Sequence, residues 1–410
     1  MKVYEDNSKP IFGINDTDEI RNWCKRLKKR QDEGVYSYFQ CVHSLDGSHV
    51  SVNGDDKIMF ATYNYLGLLG HPDIINASIE ATRKYGTGTH GVRINGGTLD
   101  IHEQLEEALA VFADREDAVV FSSGYAANVG IISAFMNHGD YIISDKYNHA
   151  SIVDGCMLSG ATVKRFRHND MEHLELMLRK LPPESKKLVI ADAVFSMDGD
   201  IFKLPMARRI CNDYGAFLMI DEAHSVGVLG ENGKGIEEYF NMPNSIDIKM
   251  GTLSKSIPSV GGYVAATRNF VSFLKHQVRP FIFSAALSPA STAAAMKALE
   301  LIGSEGKERC SRLMHLVEKF ISGLKKAGFN TGLTENTPIV PIITGNEISA
   351  LALAKYCQEY SLFALPVLAP AVHPNESRLR VNITADHSES EIDYALDVIT
   401  RGGKKLRLIQ

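Results

Sequence analysis

The sequence predicts an α/β fold: a large domain built on a mainly parallel sheet, followed by a smaller α+β domain. Three observations carry this. Between about residues 60 and 290, short apolar runs recur and end in Gly- or Ser-rich turns, as in "DAVVFSSG", "DYIISDK", "KKLVIADAVFSM", "AFLMIDEAH", "DIKMGTLSK" and "GGYVAAT". Amphipathic stretches such as "DIHEQLEEALAVFA" lie between them. Beyond about residue 290 one long helical pattern gives way to mixed strands and helices. Unbroken apolar runs mark strands buried on both faces, and alternation with helices implies parallel pairing.

The elements follow in order. "DTDEIRNWCKRLKKRQDEGV" reads as an exposed helix with an Asp/Thr start. Its basic run, Lys25–Arg30, is flanked by acidic residues and reads as a solvated face. Residues 1–60 are expected to pack with the small domain, 61–290 to form the large domain, and 291–410 the small one. In the last of these, "TPIVPIIT" and "SRLRVNIT" have strand texture after the helical run "SPASTAAAMKALELIGSEGKERCSRLMHLVEKFISGLKKAG". No repeat or linker-like segment appears, so close packing of the domains is expected.

Composition narrows the class. A chain of 410 residues suggests about two or three domains. The formal net charge of −5 argues against a dedicated nucleic-acid binder. Six scattered cysteines, with no CxxC, fit reduced thiols in a cytoplasmic protein. "MKVYEDNSKPIFGI" lacks the apolar core of a signal peptide, and no stretch has the ~20 apolar residues of a membrane span. No HxxxH or HExxH pattern appears, so no metal is expected.

In such folds ligands gather at the carboxyl ends of the strands. "GTLSKS" puts Lys255 just past an apolar run. Asp221 ends the run "AFLMID", where a carboxylate is costly without a cationic partner. A protonated pyridine nitrogen would supply one. "FSSGYAAN" is a strand–turn–helix junction of the kind whose backbone N–H groups bind phosphate. His149 follows "YIIS", and its imidazole suits stacking on a ring; Ser196 follows another apolar strand, where its hydroxyl suits a ring oxygen. Each feature alone is commonplace: a βα turn, a capping His, a turn Ser, a surface Lys. Together they offer a phosphate cradle, a ring stacker, a ring-oxygen donor, a pyridinium anchor and an amine. That set fits pyridoxal 5′-phosphate (PLP).

Ten segments, among them "YNYLGLLGHP", "YGTGTHGVRINGGTLDIHEQLE", "DKYNHASI", "VFSMDGD", "DEAHSVGVLGENGKG" and "RPFIFSAALSP", make the chain resemble the α-oxoamine synthases, PLP enzymes of fold type I. The resemblance covers about residues 55–400. It implies a seven-stranded sheet in the large domain and a homodimer with the active site at the interface. It also implies residue roles. Lys255 would bind the cofactor covalently, Asp221 would pair with its ring nitrogen, and His149 would stack on the ring. His224 and Ser196 would approach the ring oxygen. Ser123, Gly124 and Tyr125 would hold the phosphate, Thr252 and Ser254 would support the phosphate or the Lys255 loop, and Ser284 would reach the neighbouring subunit's phosphate. Asn64 would face the site, and Arg380 would bind the substrate carboxylate. The implied reaction is a decarboxylative condensation of a small amino acid with an acyl-CoA or acyl-carrier-protein thioester, giving an α-aminoketone.

One position departs from the pattern. Leu368, in "LPVLAPAVHPNESRLR", stands where 8-amino-7-oxononanoate synthases and serine palmitoyltransferases carry an arginine. Two alternatives share the fold: an aminotransferase, and a catalytically silent partner subunit, which would lack Lys255. The letters "DEAH" evoke a nucleic-acid-dependent NTPase, but no GxxxxGK[ST] loop accompanies them.

Overall fold

The computed structural model describes residues 17–410, so the leader expectation for the first fourteen residues lies outside the described part. Its centre is a seven-stranded sheet. The strands run in the order Asp117–Phe121, Pro258–Ala266, Ile248–Ser254, Phe217–Asp221, Lys187–Asp192, Tyr141–Asp145 and Thr162–Phe166. The last five are mutually parallel. Pro258–Ala266 is antiparallel to both its neighbours. Only three residues separate it from Ile248–Ser254, too few for the crossover that parallel pairing needs.

The central strands are those the apolar runs mark. Lys187–Asp192 is buried along its whole length. Its Lys187 is tolerated because the amine donates to the carbonyls of Pro183 and Ser185. The edge strand Thr162–Phe166 is largely exposed, so it carries no apolar run to betray it.

The N-terminal strands Val42–Asp46, His49–Val52 and Asp55–Met59 form an antiparallel ribbon, extended by Leu362–Phe363 from near the C-terminus. A third sheet joins Ile339–Gly345, Ser377–Asn382 and Leu365–Val367, all antiparallel. One apolar core runs through sheet and C-terminal layers alike, with Val189, Phe202 and Leu218 continuous with Phe320, Val340 and Val381. The helix Pro289–Ala327 spans this junction. Ser288 caps its start by accepting from Ser291 N, and Gly328 ends it at φ 94°. The helix Asp18–Asp32 buries no residue, and its Arg30 pairs with Glu347.

Candidate active site

Parallel pairing brings five strand ends to one edge of the sheet, and a cavity of about 270 Å³ opens there. It is lined by Ser123, Gly124 and Tyr125 from the first βα junction, His149 from the second, Asp221 and His224 from the fourth, and Thr252, Ser254 and Lys255 from the hairpin.

The first junction is built for close approach. Ser123 caps the helix Gly124–Phe135, its Oγ accepting from Ala126 N at 3.0 Å. The first N–H groups of that helix have no intrahelical partner, so they face the cavity as anion donors. Gly262 on the neighbouring strand lies so near that a Cβ there would meet Gly124 Cα at 2.5 Å. Thr252 backs the junction: its Oγ1 donates to Gly261 O at 3.0 Å and lies 2.8 Å from Ser254 Oγ. The exposed Tyr125 hydroxyl donates to Asp154.

Asp221 is buried, and both its oxygens are held. Asn128 Nδ2 donates to Oδ2 at 2.7 Å, and Ala223 N to Oδ1 at 2.9 Å. A carboxylate fixed this firmly still wants a cationic N–H, which a protonated pyridine provides. His149 caps the helix Ala150–Ser159, its Nδ1 2.7 Å from Ser151 Oγ, with its ring edge-on to Tyr125 at 6.3 Å. Burial pushes its pKa down; Asp221 opposes the shift and Lys255 adds to it.

Lys255 Nζ lies 2.9 Å from His224 Nε2, and His224 Nδ1 lies 2.8 Å from the Tyr65 hydroxyl. Burial brings the Lys255 pKa down to about 8, against the upward pull of Asp221 and Asp192; Arg380 lowers it further. Burial also holds His224 well below the usual imidazole range, helped by the Lys255, Arg380 and His149 charges. Neutral His224 then bridges a tyrosine and an amine, and an amine near pH 8 supplies a nucleophile and a base.

Arg380 is buried beside this group. One guanidinium nitrogen donates to the Tyr63 hydroxyl at 3.1 Å, while Nε and the other terminal nitrogen have no partner. Unpaired buried guanidinium N–H groups form a ready fork for a carboxylate.

Three expected residues fall elsewhere. Asn64 spends its Oδ1 on the N–H groups of Leu68 and Leu69 and turns its amide toward Asp386, so it caps a turn instead of facing the cavity. Ser196 sits on the tight turn closed by Val194 and Ile201, and Val194 lines the cavity in its place. Ser284, half-buried, lies outside the cavity of its own chain. Sequence reasoning in turn missed Asn128, Tyr65 and Asp192. The last had a visible signal: "LVIAD" ends in Asp as "FLMID" does, and the two strands pair with Asp192 opposite Asp221.

The donor set fits PLP: an amine at the hairpin, a fixed carboxylate opposite, and a helix start for the phosphate. Comparison with known proteins agrees. Residues 55–399 match the family model of aminotransferase class I and II. The 8-amino-7-oxononanoate synthase of Thermoanaerobacter pseudethanolicus is 43% identical, over 97% of this chain and 100% of its own. A serine palmitoyltransferase of Bacteroides thetaiotaomicron is 40% identical, over 93% and 96%. A solved serine palmitoyltransferase from S. paucimobilis, with a bound PLP–myriocin aldimine, superposes with a TM-score of 0.93 at 33% identity, over 97% and 100%.

Proposed function

The chain belongs to the aminotransferase class I and II family and is a PLP-dependent acyltransferase of the α-oxoamine synthase type; from that premise we propose that it condenses a small amino acid with an acyl thioester, releasing carbon dioxide and a thiol and leaving an α-aminoketone. The observation that carries the reading is that the Lys255 amine shares a cavity with Asp221 and a tyrosine ring, Tyr63, with Arg380: one carboxylate for the cofactor and one fork for a substrate carboxylate.

Bound in the cavity, PLP supplies an electron sink for charge left on the substrate α-carbon. Asp221 would hold the ring nitrogen protonated, and Gly124 and Tyr125 would offer backbone N–H groups to the phosphate. His149 would cover one face of the ring. Arg380 orients the amino acid by its carboxylate. Lys255 would move the α-proton, and its lowered pKa suits that task near neutral pH. His224, with one ring nitrogen held by Tyr65, keeps Nε2 on the Lys255 amine and within reach of an incoming acyl oxygen.

Residues 61–290 form the cofactor-holding unit in this reading. Ser284 acts across a homodimer interface, consistent with its position outside its own cavity. Among the described residues no helix is long and apolar enough to cross a membrane.

The test is direct. Purified enzyme is given amino acid alone, acyl thioester alone, and both, while free thiol and carbon dioxide are measured. Release of both products only from the complete mixture supports condensation. Keto-acid formation from amino acid without thioester would instead make the protein an aminotransferase.

A further inference from the structure

A second cavity, of about 630 Å³, opens at the edge of the sheet opposite the cofactor cavity. The topology puts it there. Phe217 and Ile248 begin the two parallel strands that end in Asp221 and Ser254, and Ala266 ends the antiparallel strand beside them. The strand Phe217–Asp221, rising ~3.3 Å per residue, holds the two cavities about 13 Å apart. The volume lies within the roughly 300–1,000 Å³ of small-molecule sites.

Its wall is aromatic. Phe135, at the end of the helix Gly124–Phe135, meets Phe217 edge-on at 5.5 Å and Phe270, of the helix Arg268–Gln277, at 5.0 Å. Ile246 and Ile248, both buried, complete the apolar lining. Phe217 is 43% exposed, a large ring without cover. Edge-on contacts leave ring faces free, and ring faces attract cations. The cluster already holds one ammonium. Lys186 Nζ lies 4.9 Å from the Phe135 ring centre and 2.8 Å from Asp140. The cavity offers the same partners, rings and carboxylates, to an ammonium from outside the chain.

The charges at its rim decide the sign of the ligand. The lining has one cation, Arg115, and it is spent. Its Nη2 donates to Glu237 at 2.7 Å and to Ile246 O at 2.8 Å, and its Nη1 to Asp114 O at 2.8 Å. Of the three carboxylates, Asp247 is paired with Arg208 at 2.8 Å. Asp114, which ends a helix at φ 56°, and Glu116, which accepts from Arg268 N at 3.0 Å, form no ion pair among the described residues. An anion would meet two uncompensated carboxylates and no free cation. A neutral apolar molecule would leave them unused. A cation with an apolar body suits both rim and wall.

We propose that this cavity is a second ligand site, which takes an organic ammonium ion: Asp114 and Glu116 face its positive head, and its apolar body lies against Phe135, Phe217 and Phe270. The site goes beyond the condensation reading and does not depend on it.

The experiment titrates the holoenzyme calorimetrically with benzyltrimethylammonium, a quaternary ion that cannot form an imine with the cofactor. Benzyl alcohol and phenylacetate serve as its neutral and anionic counterparts. The cation should bind at least about ten-fold more tightly than either counterpart. Asp114→Asn combined with Glu116→Gln, both at exposed positions, should weaken the cation about five-fold and leave benzyl alcohol unchanged. Phe217→Leu, which keeps an apolar side chain but removes the ring, should weaken the cation about three-fold. An unaltered cofactor absorbance band reports that each variant is folded. The proposal is overturned if wild-type enzyme binds the cation no more tightly than benzyl alcohol, or if either variant keeps full affinity for it.

Discussion

Two buried carboxylates at the scale of single residues divide the work of the site. Asp221 has donors on both oxygens, whereas Asp192 Oδ1 has none. Burial, reinforced by Asp221 alongside, raises the Asp192 pKa well above the carboxylate range; a hydrogen bond from the His149 backbone opposes the shift. Burial beside Asp221 favours the protonated form of Asp192, so Asp192→Asn should be nearly silent. Cofactor affinity, read by absorbance titration, should change by less than about three-fold. Asp192→Ala should cost about 1–3 kcal/mol in urea unfolding, because it strands the His149 N–H. Equal damage from both variants would mean that Asp192 is charged.

Lys255 gives a second prediction at this scale. Its amine must be neutral to attack the cofactor, and its pKa in the cofactor-free protein is about 8. The rate of PLP uptake should therefore fall about ten-fold per pH unit below that value and level off above it. A rate still climbing to the pH of an ordinary lysine would show an amine that the cavity does not perturb. The direction of this shift follows from a lysine that must be deprotonated to attack a carbonyl, but its size was not legible in the sequence. "GTLSKS" shows a lysine past an apolar run, but burial and the neighbours that set its pKa come from five separate segments.

At the scale of elements, the strand ends are tied by His168. It lies 2.9 Å from Asp145 Oδ1 at the end of one strand and 3.0 Å from Asp200 Oδ2 on the turn after another, with Tyr147 stacked on it. Burial alone would lower its pKa, but the two carboxylates override that and raise it to about 9. The sign follows: folded His168 holds its proton more tightly than the unfolded chain does near 6.5. Its contribution is full below about 6.5 and is lost as pH rises through about 9. His168→Gln should destabilise by about 3–5 kcal/mol at pH 6, since it leaves buried carboxylates unpaired, and by progressively less toward pH 9. A loss independent of pH would contradict a charged latch. Elements with unbroken apolar runs were readable in advance; the largely exposed strand Thr162–Phe166 was not, because only its last residue, Phe166, is buried in the core. Asn64 and Ser196 mark the same limit. A polar residue near a strand end can cap a turn as easily as face a ligand, and only the backbone path decides.

At the scale of the whole molecule, one sheet edge collects residues from position 123 to position 255, and the C-terminal layer adds Arg380, which shares the Tyr63 ring with Lys255. The antiparallel strand Pro258–Ala266 was the one topological feature that apolar texture alone could not show, yet the hairpin it makes is what presents Lys255. Residue order along the chain made the strand-end cluster legible; the place of Arg380 against Tyr63 needed the small sheet. The central claim, that Lys255 carries the cofactor, is tested most directly by borohydride reduction of the holoenzyme followed by peptide mass spectrometry. The pyridoxyl label should fall on the peptide containing Lys255, and Lys255→Ala protein should take up no label. A label on another lysine, or undiminished labelling of Lys255→Ala, would contradict the account.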